Sequence, residues 1–130
     1  ALCEALVIPF QFHQLMQNLM SNALKFVAPG RDPVIIIESR TATGRELGHA
    51  DLLPERRYCH VRITDNGIGF EQEFSEQIFE VFQRLHGQDE YPGTGIGLAI
   101  AKKIVENHHG VITATSELGR GTRFDIYLPE

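Results

Sequence analysis

The chain has 130 residues, of which 42% are hydrophobic and 22% charged, and its formal net charge is −5. This is enough for one domain with one sizeable core, spanning residues 1–130. It lacks an apolar run long enough to cross a bilayer and a basic, cleavable leader, and its acidic balance disfavours nucleic acid, whose phosphates want clustered Lys and Arg. Cys3 and Cys59 form no C-x-x-C motif and fit a reduced, cytoplasmic setting without a disulfide. Ala1 reads as the middle of a strand, so a piece of a longer protein is expected.

In chain order, residues 2–8 are mostly apolar and read as an edge strand. Pro9 opens a helix at its tolerated first-turn position. That helix is predicted from about Gln11 to Val27, with an apolar face of Phe12, Leu15, Met16, Leu19, Met20, Ala23 and Phe26. Pro29-Gly30 ends it. Val34 to Ala42 reads as a strand, with Val34-Ile35-Ile36-Ile37 too apolar to be exposed on both faces. Residues 43–56 are polar, carry Gly44, Gly48 and Pro54, and read as a mobile hairpin loop. Arg57 to Asp65 is a second strand, and Leu85 to Tyr91 is polar and irregular. A later helix runs from about Gly97 to His108 and closes on Gly110 as its C′ residue. Val111–Leu118 and Thr122–Leu128 form a hairpin around Gly119-Arg120-Gly121. The sum is an α/β (α+β) two-layer sandwich: a mixed, mostly antiparallel sheet with helices on one face.

Four segments carry chemistry. On the first helix, Asn18, Asn22 and Lys25 follow at i, i+4 and i+7 and make one polar stripe. Amide oxygens are hard ligands suited to magnesium, and Lys25 offers charge to a phosphate; a solvated helix face has the same look. In the second strand, alternation puts Cys59, Val61, Ile63 and Asp65 on one side. Asp65 thus ends an apolar row, points inward, and needs a donor. The exocyclic amine of adenine is one, and Gly67 and Gly69 let the backbone approach a flat ring. The bland alternative is an Asp-Asn-Gly hairpin turn, which leaves Gly69 unexplained. Gly93, Gly95 and Gly97 precede a helix, where backbone N–H groups and the dipole favour phosphate; a flexible linker is the other reading. The triplet is neither a P-loop nor a dinucleotide fingerprint. In Ile78-Phe79-Glu80-Val81-Phe82, Phe79 and Phe82 pack under the following loop, and Arg84 is either a surface residue or one that reaches a terminal phosphate.

As a set, these segments resemble the N, G1, F and G2 boxes of the ATP-binding catalytic domain of sensor histidine kinases. The resemblance runs from about Pro9 to Pro129. The stretch from Val81 to Gly87 and from Tyr91 to Gly95 is similar to kinases joined to phytochrome or PAS sensory modules. It implies the Bergerat sandwich, ATP and Mg²⁺ as cofactors, Asn22 on the metal with Asn18 assisting, and Lys25 and Arg84 on phosphate. It implies that Asp65 accepts the adenine amine and that Gly67, Ile68, Gly69 and Phe70 frame the base. Further nucleotide contacts are implied at Phe26, Gly93, Thr94, Gly95, Ile96, Gly97, Leu98 and Thr122, under a lid from Gln83 to Thr94. Relatives of gyrase, chaperone and mismatch-repair type carry a Glu general base four residues before the metal-binding Asn. Here Asn18 stands there and cannot take a proton.

The implied activity is half of a histidine protein kinase reaction. The acceptor His lies on an upstream dimerisation hairpin of the parent protein, and a response-regulator receiver domain is a further partner; neither nucleic acid nor direct membrane contact is expected. None of the chain's six histidines sits in an acceptor motif. Ile8-Pro9 also replaces the usual Asp-Pro, which removes the N-cap carboxylate. The competing readings are a non-catalytic nucleotide-binding signalling module and an anti-sigma-factor type serine kinase.

Overall fold

The computed structural model describes residues 3–79 and 97–130. The features expected over Glu80 to Ile96 – the remainder of the Phe-rich turn, Arg84, the lid, and Gly93, Thr94, Gly95 and Ile96 – lie outside the described residues.

Helix α1 spans Pro9–Lys25, with Pro9 in the first turn as the sequence predicts. Its buried residues, Leu15, Leu19 and Ala23, recur every four positions, and Phe12 and Met16 pack beside them. Met20, expected on this face, is exposed. Strand β1 is Ile35–Thr43, the short helix α2 is Gly44–Leu47, and β2 is Arg57–Asp65. Two 3-10 turns at Gln72–Phe74 and Gln77–Phe79 follow. Helix α3 spans Gly97–Asn107, and β3 (Val111–Glu117) and β4 (Gly121–Pro129) close the chain as a hairpin.

The sheet order is β1-β2-β4-β3, and every ladder among the described residues is antiparallel. The sheet is therefore not mixed there. One face carries α1 and α3 over Val61, Ile63, Phe124, Ile126 and Ile112. The helices run antiparallel: Asn18 of α1 meets Gly97 at the start of α3, and Gln11 meets Asn107 at its end. Removing a fully buried side chain from this layer, as in Leu15→Ala, costs about 2–5 kcal/mol.

Four expectations need correction. First, residues 3–8 are not a strand, although they alternate like one: Cys3, Ala5 and Val7 turn towards the core while Glu4, Leu6 and Ile8 face out. Second, this path carries Cys3 to Cys59 and the two form a disulfide, with Cα atoms 5.5 Å apart. Their separation of 56 residues hides the meeting from local motif reading. Third, residues 43–56 are not simply a loop. Thr43 and Glu46 make a capping box, each side chain bonded to the other's backbone N–H, and start α2. Leu47 and Leu52 then join Tyr58 and Tyr127 in a small second core on the outer side of the sheet. Helical structure therefore touches both faces. Fourth, Ile36 and Ile37 are exposed on opposite sides of β1, because β1 is an edge strand and the helices do not reach over that end.

At the end of α3 the left-handed residue is His109 (φ 60°), not Gly110. Gly110 is needed for space, since a Cβ there would lie 2.4 Å from the Tyr127 carbonyl oxygen. His108 meets the helix end as its dipole favours: its Nδ1 lies 2.8 Å from the Ile104 carbonyl oxygen. Its Nε2 accepts the Ile8 N–H at 2.9 Å. The imidazole thus braces the residue that lacks a capping carboxylate.

Candidate functional site

Asp65 stands at the last position of β2, past buried Cys59, Val61 and Ile63, as alternation requires. Its Oδ1 accepts the backbone N–H of Gly67 at 2.8 Å and that of Thr122 at 3.3 Å. Its Oδ2 accepts nothing among the described residues. Burial pushes the carboxyl above its ordinary value, and the two N–H groups only partly oppose this.

The glycines around Asp65 have a tighter reason than approach to a flat ring. A Cβ on Gly67 would sit 2.3 Å from the Phe26 carbonyl oxygen, just past α1. One on Gly69, at φ 66°, would sit 2.3 Å from the Glu117 carbonyl oxygen. One on Gly121, at φ 120°, would meet the Asp65 carbonyl oxygen at 2.0 Å. Three backbone segments are therefore pressed together here: the end of α1, the turn after β2, and the β3–β4 turn. Ile68 donates to the Phe26 carbonyl at 2.9 Å, and Gly119 donates to the Ile68 carbonyl at 2.8 Å.

Side chains lock the same junction. Ser116 Oγ accepts the Phe70 N–H at 2.9 Å, donates to the Gly121 carbonyl at 2.7 Å, and lies 3.0 Å from Thr122 Oγ1. Asn66 ties down the preceding loop, accepting from Val34 N–H and donating to the Asp32 carbonyl. Arg31 donates to the Gly67 carbonyl. Ser116, Asn66 and Arg31 were not anticipated as parts of the site. The bonds from Ser116 to Phe70, from Asn66 to Val34 and Asp32, and from Arg31 to Gly67 each span more than thirty positions, which no local spacing marks.

On α1, Asn18 and Asn22 are half-buried and Lys25 is exposed. Asn18 Nδ2 donates to the Gly97 carbonyl at 3.3 Å, which joins the polar stripe of α1 to the start of α3. With its nitrogen so engaged, Asn18 presents its oxygen as the remaining acceptor. The Asn22 side chain makes no hydrogen bond among the described residues. A Cβ at Gly97 would meet open space, so packing within the described residues does not demand glycine there. Leu98 leans on the core. Phe79 is buried edge-on to Phe124 of β4, their ring centroids 6.1 Å apart; its expected packing with Phe82 under the following loop lies outside the described residues.

The structure thus brings Phe26, Asp65, Gly67, Ile68, Gly69, Phe70 and Thr122 into one bonded junction, and Asn18 and Gly97 into another on the neighbouring helices. An open antiparallel sheet backed by helices, with these glycines at the end of a central strand, is the α/β Bergerat sandwich of histidine kinase catalytic domains. The chain belongs to the family of histidine kinase-, DNA gyrase B- and HSP90-like ATPases, which it matches over residues 8–130.

Its relatives are sensor kinases and phytochromes. It is 45% identical over 119 residues to cyanobacterial phytochrome A of Nostoc sp. (strain PCC 7120), covering 92% of this chain and 14% of the relative. It is 39% identical over 119 residues to the phytochrome-like protein Cph1 of Synechocystis sp., again covering 92% and 14%. The chain therefore spans about a seventh of the length of these relatives. Among solved structures, the catalytic domain of histidine kinase ThkA superposes with a TM-score of 0.67 at 26% identity, covering 95% of this chain and 69% of that one.

Proposed function

We propose that this chain binds Mg²⁺-ATP in the cytoplasm and presents its γ-phosphoryl group to a histidine on a separate helical hairpin of its parent sensor kinase. The observation that carries the reading is Asp65. It is a half-buried carboxylate at a strand end, held by two neutral N–H groups on one oxygen, with the other accepting from none of the described residues. An adenine amine supplies that donor. Guanine puts a carbonyl oxygen in the same place and is rejected.

The residues also fit a metal. Among the described residues the Asn22 amide is uncommitted and Asn18 has its oxygen left over from the bond to Gly97. When bound, magnesium neutralises charge on the phosphate oxygens during transfer. Asn18 and Asn22 offer hard oxygen ligands, Lys25 adds positive charge at the same end of α1, and Gly97 opens the helix whose N–H groups face phosphate. We assign Arg84, Gly93, Thr94, Gly95 and Ile96 to the phosphate side on the sequence alone. Asn18 stands where hydrolytic members of the fold carry a base, so the site orients ATP without activating water. The acceptor hairpin and a response-regulator receiver domain are the partners this reading requires.

The test is to incubate the chain with the purified upstream hairpin of its parent and labelled ATP. Acid-labile, base-stable label on the hairpin, lost with Asn22→Ala while nucleotide still binds, supports the reading. Wild-type transfer by Asn22→Ala removes the metal role.

A further inference from the structure

We propose that Cys3 and Cys59 are a reversible thiol–disulfide site, through which an oxidant of the low-molecular-weight disulfide class fastens the segment leading into α1 onto the central strand β2. The pair comprises both cysteines of the chain. It joins a segment outside the sheet to a strand flanked on both sides by partners. This bond holds residues 3–8, which form no strand of their own.

The attachments of that segment are few. Ala5 and Val7 rest on the core, the Glu4 N–H reaches the Glu130 carboxylate, and the Ile8 N–H reaches His108 Nε2. Leu6 is 93% exposed and Ile8 49% exposed, so two of the five apolar side chains of residues 3–8 contribute little burial. With the disulfide closed, the segment is pinned at both ends, by Cys3 and by Ile8. With it open, the Glu4 and Ile8 N–H bonds and the Ala5 and Val7 side chains remain, too little burial to offset the entropy of ordering the residues before Ile8.

The chemistry balances. Cys3 is half-buried and Cys59 nearly fully buried, so the Cys3 thiolate is the one positioned to attack an external disulfide, releasing one thiol. Cys59 then displaces the second thiol from the mixed disulfide. Two protein thiols lose two electrons and two protons, and one small disulfide becomes two thiols. In the reverse direction a dithiol reductant meets Cys3 first.

This inference rests on the proposed cytoplasmic kinase reading in one respect. Cytoplasmic thiols are held reduced, so a disulfide there is a transient, responsive bond more often than a permanent one. In that setting the fastened segment is the chain that leads from the acceptor hairpin to the nucleotide domain, and oxidation changes the freedom of one relative to the other. The bond is remote from the nucleotide: Cys59 and Asp65 lie six positions apart along β2, about 20 Å.

The test equilibrates the 130-residue chain with glutathione over a series of reduced-to-oxidised ratios, alkylates free thiols, and reads intact mass. The expected result is a two-thiol transition within the series. Amide exchange of residues 3–8 should be at least about tenfold faster in the reduced chain, with Cys3→Ser exchanging like the reduced form under both conditions. A bond that persists at every ratio, one that never forms, or equal exchange of residues 3–8 in the two forms overturns the proposal. ATP affinity, measured separately in each form, should agree within about twofold. Absence of binding in both forms counts against the nucleotide reading and leaves the thiol result standing.

Discussion

Asp65 and Asp125 lie on adjacent central strands and face opposite sides of the sheet, and their surroundings could hardly differ more. Asp125 is 3% exposed and fully supplied. Its Oδ1 takes His60 Nε2 at 2.7 Å and Arg62 Nε at 3.0 Å, and its Oδ2 takes Arg123 Nε at 3.0 Å. Burial pushes that carboxyl up, but the hydrogen bonds from His60 and Arg62 and the charges of Arg123 and Arg62 outweigh it, and the group sits below its ordinary value. Among the described residues Asp65 has only two backbone donors, on one oxygen, and burial wins. A carboxylate saturated by its neighbours belongs to the frame. One left short of donors has capacity for a ligand. The tyrosine stacked on His60 makes the same point: Tyr127, with its ring 4.6 Å from the imidazole, fills the space over the outer pair with protein.

The comparison can be broken most severely at Gly121. It combines φ 120° with a backbone contact of 2.0 Å from any added Cβ to the Asp65 carbonyl oxygen. Gly121→Ala should destabilise the chain by roughly 3 kcal/mol through strain and overpacking together. It should also displace the Thr122 N–H from Asp65. A chemical denaturation curve checks the first effect, and wild-type stability of Gly121→Ala would show that the turn yields freely.

Asp125→Ala should cost less, about 1–3 kcal/mol, because buried His60 loses its partner while Arg62 and Arg123 regain water. That predicts a melting temperature lower by roughly 4 °C per kcal/mol, with ATP affinity changed by less than about twofold. Loss of nucleotide binding in a folded Asp125→Ala chain would erase the distinction between the two faces.

The smallest effect is on the pH profile, where the two carboxylates have opposite signs. Asp125, lowered in the fold, contributes stability above the unfolded carboxyl value, and this is lost as pH falls through its folded value. Asp65, raised in the fold, favours folding when protonated, and that contribution fades as pH rises through its folded value. Asp125→Asn should flatten the acid-side fall in stability. Asp65→Asn should steepen it slightly. Denaturant titrations between pH 3 and about 7 separate the two slopes, and slopes of the same sign would refute the assignment.

Periodicity made the core layer legible. The four-residue recurrence of Leu15, Leu19 and Ala23 and the alternation of Cys59, Val61, Ile63 and Asp65 both appear as read. The inward aim of Asp65 followed from that alternation alone. What stayed hidden depends on tertiary contact. Val34, Ile36 and Ile37 look like core residues, but an edge position leaves them exposed. Cys3 and Cys59 meet only because residues 3–8 run across the core face. Gly67, Gly69 and Gly121 were flagged as special, yet their close neighbours are backbone carbonyls of distant segments, which no local spacing displays. The capping box Thr43-x-x-Glu46 was present in the sequence and would have marked α2; the surrounding glycines and Pro54 drew the reading towards a loop.

The most direct measurement is a calorimetric titration of Asp65→Asn with ATP and with GTP, beside the wild type, together with a thermal melt. The asparagine keeps an oxygen for the Gly67 and Thr122 N–H groups, so its amide nitrogen turns towards the ligand and opposes the adenine amine. The account predicts a melting temperature equal to the wild type or higher. It predicts ATP affinity reduced by about 10–150-fold, the loss of one charge-assisted hydrogen bond, and a smaller gap between ATP and GTP. A folded Asp65→Asn chain that binds ATP as tightly as the wild type would contradict it.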